Sequence, residues 1–123
     1  MLIHKSLSCT EVLSLKSKEV DVAWCITYLE HCPILVESVY IPPNKEKQLE
    51  KFLKNLNEAR KYCKVNKIDN LLVLGDYNAR HTMWQDNKIN KHGEILEDYV
   101  TSTQSFVSRA QLCPPSCQYR VTV

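Results

Sequence analysis

The sequence predicts an α/β (α+β) fold, and three stretches predict it. Residues 20–28 alternate apolar and polar side chains with period two, and residues 45–65 place apolar side chains at helical spacing. Leu71-Leu72-Val73-Leu74 is a short apolar run closed by glycine, too brief for a helix. The period thus changes from two to 3.6 and back, within a chain of one domain's length.

Residues 2–19 are the hardest to read. Thr10 to Leu15 fits either a short strand or a helical turn, and Lys16-Ser17-Lys18-Glu19 is a polar break. From Val20 the pattern clears. Val20, Val22, Trp24, Ile26 and Tyr28 alternate with Asp21, Ala23, Cys25 and Thr27, a strand with β-formers on one face. Glu30 to Pro33 reads as a turn, and Ile34 to Tyr40 as a second strand paired antiparallel with the first. Pro42 and Pro43 end that strand, because proline cannot donate to a ladder.

Asn44 is the expected N-cap of a helix over about 45–65, whose Leu49, Phe52, Leu53, Leu56, Ala59 and Cys63 share one face. Glu50 and Lys54 are spaced as an i,i+4 pair on the opposite face. Lysines 45, 47, 51, 54, 61 and 64 read as a solvated helix face, since glutamates interleave with them. Leu71 to Leu74 is the third strand, residues 81–91 a loop, and Gly93 the opening of a second helix with Ile95, Leu96, Tyr99 and Val100 apolar. Beyond about Thr103 the periodicity ends, and the tail from Ser105 carries no Asp, Glu or His.

Composition excludes more than it proposes. Hydrophobic content of 44% and charged content of 24% are ordinary for a globular chain, and a net charge of +2 is too mild to announce nucleic-acid binding. No apolar run approaches membrane-spanning length and no signal peptide is evident, so the expectation is an intracellular protein, nuclear or cytoplasmic, with no membrane partner. Six cysteines without a secretory signal read as free thiols, Cys25 and Cys32 beside the turn included. Cys113-Pro-Pro-Ser-Cys117 lacks the second pair that a zinc site requires, which leaves a thiol or zinc-binding protein the remotest reading.

The stretch with chemistry is Gly75-Asp76-Tyr77-Asn78-Ala79-Arg80-His81. Gly75 permits a sharp turn or a close approach. If the backbone stays extended, Asp76 and Asn78 point to one side and Tyr77 to the other, into the core. A carboxylate and a carboxamide at a strand end suit proton abstraction from water beside an oxygen-rich substrate. Taken alone, the tetrapeptide Gly75 to Asn78 reads first as a turn.

The longer string decides otherwise. Gly75 to His81, then Trp84, Asn90 and Gly93, with Ser38-Val39-Tyr40-Ile41-Pro42-Pro43 upstream, resembles the endonuclease/exonuclease/phosphatase (DNase I-like) family. Within it, the resemblance is to the endonuclease domain of jockey-like non-LTR retrotransposon reverse-transcriptase proteins. It implies a partial DNase I-like β-sandwich flanked by helices over residues 20–102, between a poorly defined segment 1–19 and an irregular tail 103–123. It also implies DNA as partner, Mg²⁺ as cofactor, and target-site nicking by phosphodiester hydrolysis. Asp76 would orient and deprotonate water, Asn78 would contact phosphate or metal, and the Tyr40 phenol would donate to the scissile phosphate. His81 and Arg80 would either support the site or touch substrate. No metal ligand set is assigned; Asp76 and Asn78 are the nearest candidates.

The departures from the family pattern are specific. No glutamine-glutamate motif precedes the hairpin, and no aspartate-histidine pair follows the second helix. Gln85 follows Trp84 where glycine is usual, and Pro43 stands where repair-type relatives carry asparagine. The expectation is a site missing both ends and weak or inactive by itself, with a non-catalytic relic or interaction module as the alternative.

Overall fold

The computed structural model describes residues 7–109 and 119–122. Alternating sequence at 21–29 and 32–40 makes the longest hairpin, β2 (Asp21–Leu29) and β3 (Cys32–Tyr40), paired antiparallel from Leu29↔Cys32 to Asp21↔Tyr40. The loop is therefore two residues, Glu30 and His31, both at positive φ (50° and 68°), not the four expected. Positive φ at both positions matches the right-handed twist of the strands it joins. Pro33 lies inside β3 but beyond the end of its pairing with the next strand, so its missing N–H leaves no ladder bond broken on that side.

β1 (Cys9–Glu11) adds antiparallel to β2, and Leu13–Leu15 follows as a 3₁₀ turn, so both readings of residues 10–15 hold in part. β3 leads through α1 (Glu46–Asn66) to β4 (Asn70–Asp76), which pairs parallel with β3 from Ile34↔Asn70 to Tyr40↔Asp76. A parallel pair needs such a crossover, and the helix supplies it. α2 (Lys91–Thr103) follows, and β5 (Phe106–Arg109) and β6 (Tyr119–Thr122) complete a six-stranded sheet ordered β1-β2-β3-β4-β6-β5. The tail read as irregular thus holds two strands. They are four residues each, too short for period two to show in sequence. Residues 110–118, with Cys113 and Cys117, lie outside the described residues.

One side of the sheet carries the core. Trp24, Leu35, Val39, Ile41, Val73 and Tyr77 pack with Leu49, Phe52, Leu56 and Ala59 of α1 and with Leu96 and Val100 of α2. The six apolar positions read on α1 are all buried. Trp24 donates its indole N–H to Asn55 Oδ1 at 3.0 Å, and Asn55 donates to Leu15 O at 3.0 Å, fastening the N-terminal turn to the helix.

Two helix starts differ from expectation. Asn44 takes a left-handed turn (φ 57°), and Lys45 is the N-cap of α1, without a side-chain cap. α2 begins two residues before Gly93, because Asn90 caps it by accepting from the Gly93 N–H at 2.8 Å. Among the described residues the ion pairs on α1 are Lys51–Glu19 and Lys61–Glu58, not Glu50–Lys54.

Candidate functional site

β3 and β4 are the two central strands, and both end at the same level. Tyr40 and Asp76 are register partners, so their side chains lie on the same face of neighbouring strands. That face is the one opposite α1 and α2, and Tyr40 is 48% exposed there. Carboxyl ends of parallel strands are where α/β sheets place ligands, because ladder and helix cover leave off together.

Beyond Asp76 the chain is no longer extended. Asn78 sits at φ 47°, and its N–H donates to Asp76 Oδ1 at 3.0 Å. Its side-chain amide donates to Ile41 O at 2.9 Å, following the Ile41 N–H bond to Asp76 O at 2.9 Å. The carboxamide acts as one more rung of the β3–β4 ladder, past the last strand residue. Asp76 Oδ1 and the Asn78 side-chain NH₂ are thus both engaged in holding this turn. Tyr77 enters the core fully buried, its ring 5.5 Å from that of Phe52.

Gly75 is required for a reason other than a turn. It lies within β4, and a Cβ there would meet Val39 O at 2.3 Å. Gly93 is required likewise, since its Cβ would meet Arg80 O at 1.9 Å. The two glycines of the sequence are thus both points of close backbone approach, one beneath the site and one where α2 meets the loop that precedes it.

That loop, read from sequence as structureless over 81–91, is fastened throughout. Arg80 Nε donates to Asp86 Oδ2 at 3.1 Å, and Asp86 is buried. Burial pushes the Asp86 carboxyl up, but the Arg80 guanidinium and the Lys88 and Asn87 N–H groups outweigh it and hold it below the usual range. His81 accepts from the Met83 N–H through Nδ1 at 3.1 Å, starting a 3₁₀ turn at Thr82–Trp84, and its ring lies against Trp84. Trp84 donates to Ala79 O at 3.2 Å. Both Arg80 and His81 therefore hold loop structure.

Four residues that sequence reasoning did not assign complete the region. Asn90 accepts from Arg80 N at 2.9 Å and donates to Asn78 O at 2.8 Å, so the cap of α2 also fixes the backbone after Asp76. His92, 2% exposed, accepts from Lys45 N at 3.1 Å through Nε2, which leaves Nδ1 to donate to Tyr77 O at 2.8 Å. It ties the start of α1 to the end of β4. Asp86, as above, anchors Arg80. Asp21 is the register partner of Tyr40 on the other side, so Asp21, Tyr40 and Asp76 form one row across three strands. An open groove of about 450 Å³ lies beside Tyr40, with Asp21, Lys18 and Gln48 in its lining.

The donor set is small for a divalent cation. Among the described residues no three His, Cys, Asp or Glu side chains converge on one point. Hard cations take six or more oxygens, and Mg²⁺ takes one or two carboxylates plus water and phosphate. One carboxylate and one amide oxygen do not make a cage.

Comparisons with known proteins bear on this geometry. A family model described as endonuclease-reverse transcriptase matches residues 34–120. The RNA-directed DNA polymerase from mobile element jockey of Drosophila funebris is 22% identical over 104 residues, 85% of this chain and 10% of that protein. The chain thus spans about a tenth of the length of this curated relative. The solved endonuclease domain of TRAS1, a telomere-specific non-LTR retrotransposon, superposes with a TM-score of 0.72 at 15% identity, covering 98% of this chain and 55% of that one. At that identity the likeness speaks to the fold, a DNase I-like endonuclease domain fold.

Proposed function

Because the chain belongs to the endonuclease-reverse transcriptase family, we propose that it carries part of a DNA endonuclease site, for target-site nicking in retrotransposition. The observation that supports this reading is the pairing of Tyr40 with Asp76 at the ends of two parallel strands, with Asn78 fixed to both strand ends. A phosphodiester laid across those ends would meet three different groups. The Tyr40 phenol donates to a phosphoryl oxygen. Asp76 orients the attacking water and takes its proton, and the Asn78 N–H on Oδ1 fixes the carboxylate's orientation. Asn78 Oδ1 accepts from the attacking water. Asn90 and His92 hold the backbone directly after Asp76, at Asn78 and Tyr77, and a near-attack geometry requires such fixing.

Mg²⁺ is the cation of the resembled family, and it would relieve charge on the phosphoryl oxygens when bound. The residues here do not hold it by themselves, and no step is assigned to it. The chain alone should therefore cleave weakly or not at all, since losing one preorganised electrostatic group typically lowers a rate on the order of 10²–10³-fold. The same observation favours a second reading, an interaction module that keeps the fold without turnover. Nicking of supercoiled plasmid with Mg²⁺ separates the two. Weak nicking abolished by Asp76→Ala supports the first; nicking that survives Asp76→Ala overturns the assignment of Asp76. No nicking, with DNA binding retained, supports the second.

A further inference from the structure

The sheet face opposite the helices carries a pair of thiols that the site does not use. In the β1–β2 register, Cys9 lies opposite Thr27 and Glu11 opposite Cys25. Cys9 and Cys25 are therefore diagonal neighbours on one face, two residues apart along the ladder, a separation that two thiols close only if one strand moves toward the other. The Cys9 thiol is near enough to act on the Cys25 thiol. Their environments differ. Cys9 is exposed on a three-residue edge strand, whereas Cys25 is 4% exposed. Burial, and then the Cys9 thiol beside it, push the Cys25 thiol up to about 12. Cys32 is exposed at the far end of the hairpin, and Cys63 is buried in α1 on the helix side.

We propose that Cys9 and Cys25 are a peroxide-oxidisable pair that closes into a disulfide and staples the edge strand β1 to β2. Cys9, the accessible thiol, attacks one oxygen of hydrogen peroxide. The O–O bond breaks, hydroxide leaves and takes up the thiol proton as water, and Cys9 becomes a sulfenic acid. The Cys25 sulfur then attacks the Cys9 sulfur. The S–S bond forms, the S–O bond breaks, and the hydroxyl leaves with the Cys25 proton as a second water. Two thiols and one peroxide give one disulfide and two waters, the sulfur pair losing two electrons. The second step is intramolecular between diagonal neighbours on paired strands, which offsets the poor nucleophilicity of a protonated Cys25. Closing the sulfurs to about 2.05 Å requires β1 to shift slightly. All three of its residues are exposed, and among the described residues no strand pairs with its other side, so little resists that shift.

The experiment uses the full chain, reduced, desalted and exposed to a few equivalents of hydrogen peroxide. Trypsin with a glutamate-specific protease separates Cys9, Cys25 and Cys32, since Glu11 and Glu30 lie between them. The expected product is a Cys9–Cys25 peptide pair lighter by two hydrogen atoms than its parts. The oxidised chain should melt higher by roughly 5–15 °C, as expected for closing a loop of this length. Cys25→Ser should leave Cys9 as a sulfenic acid trapped by a dimedone-type reagent. Cys9→Ser, at an exposed position, should leave Cys25 reduced. Linkage through Cys32, a bridge between two chains, or Cys9 over-oxidised while Cys25 stays a thiol would each overturn the proposal.

Discussion

The two faces of the central strands divide the work of this domain. On the helix side, β3 presents Leu35, Glu37, Val39 and Ile41, and β4 presents Leu71, Val73 and Tyr77, all buried. On the other side the same strands present Ser38, Tyr40, Leu74 and Asp76, of which Tyr40 and Leu74 are exposed. Strand geometry alone makes this division possible, since successive residues point to opposite faces. Packing errors on one face should therefore act on stability, and charge changes on the other should act on what the domain binds. Glu37 is the exception that tests the rule, a carboxyl among apolar side chains with neither oxygen bonded among the described residues.

The largest effect is expected where the faces cannot be separated. Gly75→Ala would drive a methyl into the Val39 carbonyl, backbone against backbone, with no flexible group to give way. The change should destabilise by more than about 3 kcal/mol, or prevent folding, although alanine is otherwise mild in a strand. Urea denaturation measures it. A loss under about 1 kcal/mol would mean that β3 and β4 can spread, and then Tyr40 and Asp76 are not held in register.

Glu37→Gln comes next, and in the opposite direction. Burial pushes the Glu37 carboxyl well above its usual range, and among the described residues no cation offsets this. The folded state therefore holds a proton that the unfolded chain gives up near pH 4.3. Stability is whole below that pH and falls as pH rises toward the folded value. Glutamine keeps the shape without the titration, so the variant should be more stable than wild type at pH 7–8 by about 1–3 kcal/mol. The gap should narrow toward pH 4. An unchanged gap between pH 4 and 8 would show that Glu37 does not titrate between the states.

What was legible in sequence follows from range. The period-two pattern of β2, the apolar stripe of α1 and the four-residue run of β4 are local, and each was readable. The meeting of Tyr40, Asp76 and Asn78 was readable only through family resemblance, because it depends on parallel register across a helix. Asp21 was missed for a definite reason. A four-residue turn at 30–33 would set Leu29 opposite Ile34 and hence Ala23 opposite Tyr40; the two-residue loop sets Asp21 there instead. Glu30-His31 is not the Asn-Gly type that announces such a loop. His92 and Asn90 bond backbone groups 47 and 12 residues away, and Asp86 bonds the Arg80 side chain across a loop, none of which a spacing rule in sequence announces.

A smaller gain is expected at the end of α1. Lys67 stands in the left-handed region (φ 55°), and the Ile68 N–H closes back on Cys63 O at 2.9 Å, the bonding of a helix stop usually built with glycine. Lys67→Gly should stabilise by about 0.5–1 kcal/mol, since the left-handed conformation is unfavourable for a residue with a Cβ. The same urea measurement detects it. Destabilisation instead would mean that the lysine side chain contributes something to the core edge.

The smallest change in stability, and the sharpest contrast with Glu37, belongs to Asp21→Asn. Both substitutions remove one carboxylate from the same hairpin, but Asp21 is exposed on the open face, in the row with Tyr40 and Asp76. Its removal should alter stability by less than about 0.5 kcal/mol, as for an exposed surface change. Its effect should appear in DNA binding. A phosphate drawn to Tyr40 would sit within several ångströms of the Asp21 charge, a repulsion of about 1 kcal/mol in water-like surroundings. Asn should therefore tighten binding of a short duplex by roughly 2–5-fold at low salt, fading as the Debye length falls below about 8 Å. Fluorescence anisotropy over a salt series reads both quantities. If affinity is unmoved at low salt while Glu37→Gln shifts stability as stated, the open face is not where phosphate lies, and the pairing of Tyr40 with Asp76 loses its functional meaning.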